Sequence, residues 1–176
     1  MKIMYVEHKN ISADQLCDIA KLKSQHWDYP VESQIKWFNE NLNDNDIHVM
    51  LSETGCLVGY LTITDIELSL DNDVVYCCGI GSVCTDKNHF GKGYATKLVI
   101  NASMYVAESK KLCCLLCKEK LQPFYHNKCG YINVTADNIF VQNKLFSENL
   151  MVFGRQLLCD MDDVLNAKTI RINRNF

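Results

Sequence analysis

The chain predicts an α/β fold, a mixed sheet with helices on both faces, and three observations lead to it. Strand-like and helix-like runs interleave along the 176 residues, one strand opens through a glycine-rich turn into an amphipathic helix, and a continuous apolar run follows that helix. At this length a single domain, 1–176, can bury its own core without disulfides or metals.

The elements follow in order. Ile3 to Val6 opens as a strand. Ser12 and Gln15 have capping-box spacing, and Ile11 and Leu16 suit a hydrophobic staple, so a helix starts here with Leu16, Ile19 and Ala20 on its buried face. Pro30 disfavours helical geometry in Tyr29, so that helix should end before it and a second, carrying Ile35, Trp37 and Phe38, should follow. The corner between them, His26-Trp27-Asp28-Tyr29, reads as an elbow with Trp27 plugging the core, or as part of an acceptor pocket.

His48 to Leu51 and Leu57 to Ile63 form a hairpin about Ser52-Glu53-Thr54-Gly55. After the polar turn Asp71-Asn72-Asp73, a strand over Val74 to Thr85 carries Gly79 and Gly81, and glycines inside a strand mark a bulge or a close approach to the backbone. Tyr94, Ala95, Leu98, Val99, Ala102, Tyr105 and Val106 recur at helical spacing, and the helix ends near Lys110-Lys111. Leu112 to Cys117 is uninterrupted and apolar, as a strand buried on both faces requires. A short helix around Phe124-Tyr125 stops at Gly130; strands over Tyr131 to Val134 and Leu150 to Leu157 follow, then a tail whose Arg171, Arg174 and Asn175 look solvated.

Composition excludes several classes. A net charge of −3 without clustered Lys and Arg argues against a nucleic-acid partner. No apolar run approaches the roughly 20 residues that span a bilayer, so no membrane partner is expected. Met1 to His8 lacks the apolar stretch of a secretory signal, which places the chain in the cytoplasm. The ten cysteines sit largely in apolar runs, where thiols act as small buried hydrophobes. Cys113 and Cys117 fall in one strand and not in a metal-presenting loop, so no metal site is expected.

The segment Phe90-Gly91-Lys92-Gly93-Tyr94-Ala95 follows a strand and opens a helix, so its backbone N–H groups can meet an anion at the positive end of the helix dipole. A Walker loop would place Lys and Ser or Thr after its second glycine, and a dinucleotide fingerprint would add a third small residue and a later acidic one; neither pattern is present. On these residues the chain resembles the Gcn5-related N-acetyltransferase (GNAT) family, whose pyrophosphate signature is Gln/Arg-x-x-Gly-x-Gly/Ala. Gly93 and Ala95 stand at its last two fixed positions, Lys92 at a frequently basic one, and Phe90 where the family usually has Gln or Arg. Pro123-Phe124-Tyr125, followed by Cys129-Gly130-Tyr131, resembles the family's second motif, with Lys118 near a position where the family often has Asn.

The resemblance implies a mixed, mostly antiparallel sheet of six to seven strands and acetyl-coenzyme A as co-substrate. Val83, Cys84 and Thr85 would pair with the pantetheine arm, and Gly91, Lys92, Gly93, Tyr94, Ala95 and Thr96 would hold the pyrophosphate. An amine would attack the thioester directly, a backbone N–H of residues 83–85 would bind the oxyanion, and the Tyr125 hydroxyl would protonate the departing thiolate. The candidate bases are Glu67, Asp86, His89 and His26, and a nucleophilic role for Cys84 is the alternative to direct attack. The implied acceptor is a small-molecule amine of the amino-sugar or aminoglycoside kind. A peptide amino group and a non-catalytic acyl-coenzyme A-binding module are the rival readings, and the family also admits a homodimer.

Overall fold

A computed structural model describes residues 1–71, 73–154 and 159–176. They form two compact units, Met1–Thr64 with Gly81–Ala102, and Asp65–Ile80 with Ser103–Phe176.

In the first unit β1 (Lys2–Glu7) pairs antiparallel with β2 (Ile47–Glu53), which pairs antiparallel with the first part of β3 (Cys56–Ser69). Thr54 and Gly55 close the β2–β3 hairpin with φ of 50° and 86°. A type I′ two-residue turn needs left-handed geometry at both central positions, and Gly55 supplies one of them without strain. The capping box of α1 (Ala13–Ser24) forms as the spacing predicts: Ser12 Oγ accepts from Gln15 N–H at 3.2 Å, and Gln15 Oε1 accepts from Ser12 N–H at 3.0 Å. The next helix, α2 (Val31–Asn41), begins directly after Pro30.

Ile19 and Leu22 of α1 pack with Phe38 of α2, Met50 of β2 and Tyr60 of β3. Trp27 does not plug this core: α1 ends at Ser24, so Trp27 falls in the turn off the helix's apolar face and is 37% exposed, while Phe38 fills the elbow.

The second unit holds the strand order β6-β9-β5-β4-β3-β10-β7-β8. Here β4 (Val74–Thr85) runs parallel to β5 (Leu112–Cys117), from Cys77 opposite Leu112 to Ile80 opposite Leu115. On one side β5 pairs antiparallel with β9 (Asn149–Phe153), and β9 with β6 (Tyr131–Asn133). On the other, the end of β3 meets β10 (Thr169–Ile172), which runs parallel to β7 (Asn138–Val141), and β7 meets β8 (Lys144–Leu145). Between β4 and β5 the chain forms α3 (Tyr94–Glu108); between β5 and β6 it forms α4 (Gln122–Phe124), continued by one π-helical turn over Tyr125–Cys129; α5 (Cys159–Asn166) precedes β10.

The sheet is mixed and mostly antiparallel as expected, with ten strands where six to seven were implied. The additional strands are short and late in the chain. Arg171 and Asn175 of the tail are exposed as expected and Arg174 is half-buried, but the segment is a paired strand, with Ile170 and Ile172 of β10 buried and Arg171 over the Phe140 ring at 4.4 Å. Leu150 to Leu157 is a strand only as far as Phe153; Arg155 to Leu157 lie outside the described residues, as does Asn72 of the Asp71-Asn72-Asp73 turn.

The core of the second unit is aliphatic, with Cys77 and Cys114 packed among Leu68, Leu112, Val152 and Ile170. Nine of the ten cysteines are free thiols. Gly79 has a packing reason of its own: a Cβ there would lie 2.5 Å from the Phe176 ring, so the close approach that glycine permits at this point is made by the chain's own side chain.

Candidate active site

The glycine-rich turn lies in the first unit. Beyond β4 a single 3-10 turn (Lys87–His89) is held by the Asp86 carboxylate, which accepts from Asn88 N–H at 2.9 Å. Gly91 and Gly93 then take φ of 81° and 75°, and a Cβ at either would meet nothing within 4 Å. The glycines therefore serve backbone conformation and leave open space over the turn. The first bond inside α3 runs from Lys97 N–H to Gly93 O at 3.0 Å, so the amides of Gly93, Tyr94, Ala95 and Thr96 have no acceptor within the helix. Lys87, Lys92 and Lys97 are exposed around them. The arrangement suits a phosphate by both dipole and charge.

Tyr94 fixes the start of α3. Its hydroxyl donates to the Glu53 carboxylate at the end of β2, and this bond raises the phenol above its ordinary pKa and lowers the carboxyl below its own. His89 stacks on the Tyr94 ring at 5.8 Å between centroids. Phe90, at the usual Gln or Arg position, is 62% exposed and rests against the His26 ring at 5.9 Å.

Val83, Cys84 and Thr85 end β4 in the same unit, preceded by Ser82 at a φ of 53°. A left-handed residue inside a strand turns the backbone out of its ladder, which sets the three following residues apart from the regular strand. Cys84 is 4% exposed and burial pushes its thiol up to about 12, which leaves very little nucleophilic thiolate near neutrality. The Thr85 carbonyl is taken by His26 Nε2 at 2.6 Å. Asp86 is engaged with Asn88 and lies 3.6 Å from His89 Nδ1.

Tyr125 lies in the second unit, 6% exposed, with its ring edge-on to Phe124 at 5.0 Å and to Tyr131 at 6.0 Å. Burial first, then Cys117 and Cys129, raises its phenol well above the ordinary value. It therefore stays protonated through the neutral range, as a proton donor must. Gly130 ends the π-helical turn at φ 79°, as the sequence predicts. Glu67 belongs to the second unit, in a concavity of about 370 Å³ that it lines with Asp65, Tyr76, Lys111 and Asn173. The structure thus gathers residues 83–85 and 91–96 in one unit, together with His26, Asp86 and His89, and places Tyr125 and Glu67 in the other.

Two residues absent from the sequence reading stand beside residues 83–85. Lys23 of α1 is 5% exposed and donates to Ser82 Oγ at 3.2 Å. The signal was present, since Lys23 follows Ile19 by four and so sits on the buried stripe of α1.

The model of the acetyltransferase (GNAT) domain family matches residues 7–131. No curated protein matches the sequence. Solved structures with a similar fold include the GNAT family N-acetyltransferase YhbS from Escherichia coli in complex with CoA, at a TM-score of 0.63 and 13% identity over 98% of this chain and 91% of that one. Escherichia coli ElaA is similar at a TM-score of 0.60 and 19% identity, over 86% of this chain and 97% of its own. An aminoglycoside 6'-N-acetyltransferase complexed with coenzyme A is similar at 0.61 and 15%, over 86% and 96%. At such identities the likeness concerns the fold.

Proposed function

Because the chain belongs to the GNAT acetyltransferase family, we propose that it transfers the acetyl group of acetyl-coenzyme A directly to a primary amine of a small molecule, of the amino-sugar or aminoglycoside class. The observation that carries this reading is the turn into α3: two left-handed glycines with open space above them, and first-turn amides without helical acceptors, at the family's pyrophosphate position. Gly91, Lys92, Gly93, Tyr94, Ala95 and Thr96 hold the pyrophosphate. Phe90 contributes no polar contact, so the backbone carries that task. The family match runs through both units, which supports their acting together as one catalytic domain.

Backbone at Val83, Cys84 and Thr85 receives the pantetheine arm and offers an N–H to the oxyanion, where a fixed donor stabilises charge that appears only in the transition state. The amine attacks the thioester carbon, the carbon–sulfur bond breaks, and the Tyr125 hydroxyl gives its proton to the sulfur. Burial keeps the phenol protonated at neutral pH, so a proton is available at that hydroxyl. The buried, protonated Cys84 thiol supports direct attack over an acyl-enzyme. Among the described residues no helix is long and apolar enough to cross a membrane, and the reading keeps the chain in the cytoplasm.

A thiol-release assay with acetyl-coenzyme A and a panel of amino sugars, aminoglycosides, polyamines and peptides tests the proposal. Release that depends on an amino sugar or aminoglycoside is expected. Release with peptides alone would replace the substrate class, and coenzyme A binding without release for any amine would leave only a binding module.

A further inference from the structure

We propose that Lys23 and Ser82 form the proton relay that deprotonates the acceptor ammonium: Ser82 Oγ takes the proton while its own hydroxyl proton passes to Lys23 Nζ. The inference rests on the transferase reading above and supplies the base that reading lacks.

An alkylammonium titrates near 10, so at neutral pH the acceptor arrives almost wholly protonated and must lose a proton before it can attack. Of the candidates from the sequence within the first unit, His26 is bonded to the Thr85 carbonyl, Asp86 holds the 3-10 turn, and His89 stacks on the Tyr94 ring with its Nδ1 3.6 Å from Asp86. Lys23 is placed differently. Its Nζ lies 3.2 Å from Ser82 Oγ, and the rings of Phe38, Trp37 and Trp27 surround it at 4.4, 4.7 and 5.6 Å. Among the described residues no carboxylate pairs with it.

The titratable groups that face this amine are Cys84 of β4 and His48 of β2, with Tyr60 of β3 bound to His48 at 2.7 Å. None is an anion at neutral pH. Burial keeps the Cys84 thiol protonated and holds His48 to about 3, so its ring is neutral. Burial accordingly lowers Lys23 to about 8, with Cys84 the smaller opposing influence. The amine is therefore poised between its two forms close to neutral pH, where a general base works best.

Ser82 links that amine to the reacting region. It is partly exposed, takes the left-handed φ of 53°, and stands directly before the three residues assigned to the thioester arm. In the neutral form of Lys23 the contact reverses, with the nitrogen lone pair accepting the serine O–H. One proton then leaves the ammonium for Oγ as another leaves Oγ for Nζ, so the serine is unchanged, the acceptor is a free amine and Lys23 is an ammonium. A buried lysine without a counter-ion weakens folding, which is the expected mark of a group retained for chemistry.

The test measures kcat/KM against pH for wild type, Lys23→Met, Lys23→Arg and Ser82→Ala, with the panel amine that turns over fastest. Wild type should rise through a limb near 8. Lys23→Met and Lys23→Arg should each lose about 100-fold at pH 7 and follow only the limb of the acceptor amine itself, whose pKa is measured separately by titration. Ser82→Ala should lose about tenfold, and coenzyme A affinity by calorimetry should stay within about twofold in all of them. Lys23→Arg keeps the charge and the hydrogen bond but cannot act as a base, so it separates proton transfer from packing. If Lys23→Met does not fold, Lys23→Arg and Ser82→Ala decide. Variants that keep the wild-type profile overturn the relay and leave the transferase reading standing, whereas wild type inactive with every amine overturns both.

Discussion

The two units bury very different interiors. Of the eight buried polar or charged residues among the described ones, all but Ser103 lie in the first unit, including Lys23, His48, Thr62 and Thr85. The interior of the second is aliphatic and thiol-rich, and burial pushes Cys113 up to about 12, so its thiol is neutral across the physiological range. Buried polar groups weaken folding unless they are bonded, and the first unit satisfies several of its own in a chain: His8 Nδ1 lies 3.0 Å from His48 Nε2, and His48 Nδ1 2.7 Å from Tyr60 OH. The unit that carries the glycine-rich turn is thus the one that encloses an amine and an imidazole, Lys23 and His48. The other is built for packing, with Tyr125 as the one group to which chemistry is assigned here.

The largest effect that would sharpen this contrast is on turnover. Tyr125→Phe keeps the ring packing against Phe124 and Tyr131 and removes only the hydroxyl, so kcat should fall by about 10²-fold or more with thermal stability and coenzyme A affinity little changed. Turnover equal to wild type at every pH would return Tyr125 to the role of a core aromatic.

A second contrast lies in acid stability. Burial holds His48 near 3 against an ordinary 6.5, so the folded state disfavours the protonated ring. The stability this contributes is present above pH 6.5 and is lost as pH falls toward 3. His48→Leu should therefore flatten the fall of Tm between those values, while Cys114→Val in the second unit should leave the pH dependence as it was. Equal slopes in all three proteins would remove the distinction between the interiors.

Gly79→Ala probes packing in the second unit. The added Cβ would fall 2.5 Å from the Phe176 ring, so a loss of about 1–3 kcal/mol is expected, recovered in part by Phe176→Ala in a double-mutant cycle of thermal unfolding. Additive effects would show that the ring is not what requires glycine there.

Much of this architecture was legible in the sequence where local chemistry decides it. The Ser12–Gln15 box, the strand over Val74 to Thr85 and the left-handed stop at Gly130 follow from residues close in sequence. What escaped depends on partners far along the chain. Asn138–Val141 becomes a strand by pairing with Thr169–Ile172, and neither four-residue run announces the other. The glycine-strand signal was sound at Gly79, but its cause, the Phe176 ring, could not be read from spacing. Lys23 was hidden for a different reason: a charged residue on an apolar stripe is ordinarily read as a side chain reaching for solvent, and only the fold shows it enclosed by aromatic rings.

The central claim is that the turn from Gly91 to Thr96 binds acetyl-coenzyme A, and calorimetric titration of acetyl-coenzyme A into wild type and Gly93→Ala tests it most directly. At a φ of 75° an alanine is strained by roughly 1–2 kcal/mol, so the turn should distort. The account predicts one acetyl-coenzyme A per wild-type chain and markedly weaker binding to the variant. No binding to wild type, or equal affinity in a folded variant, would contradict it.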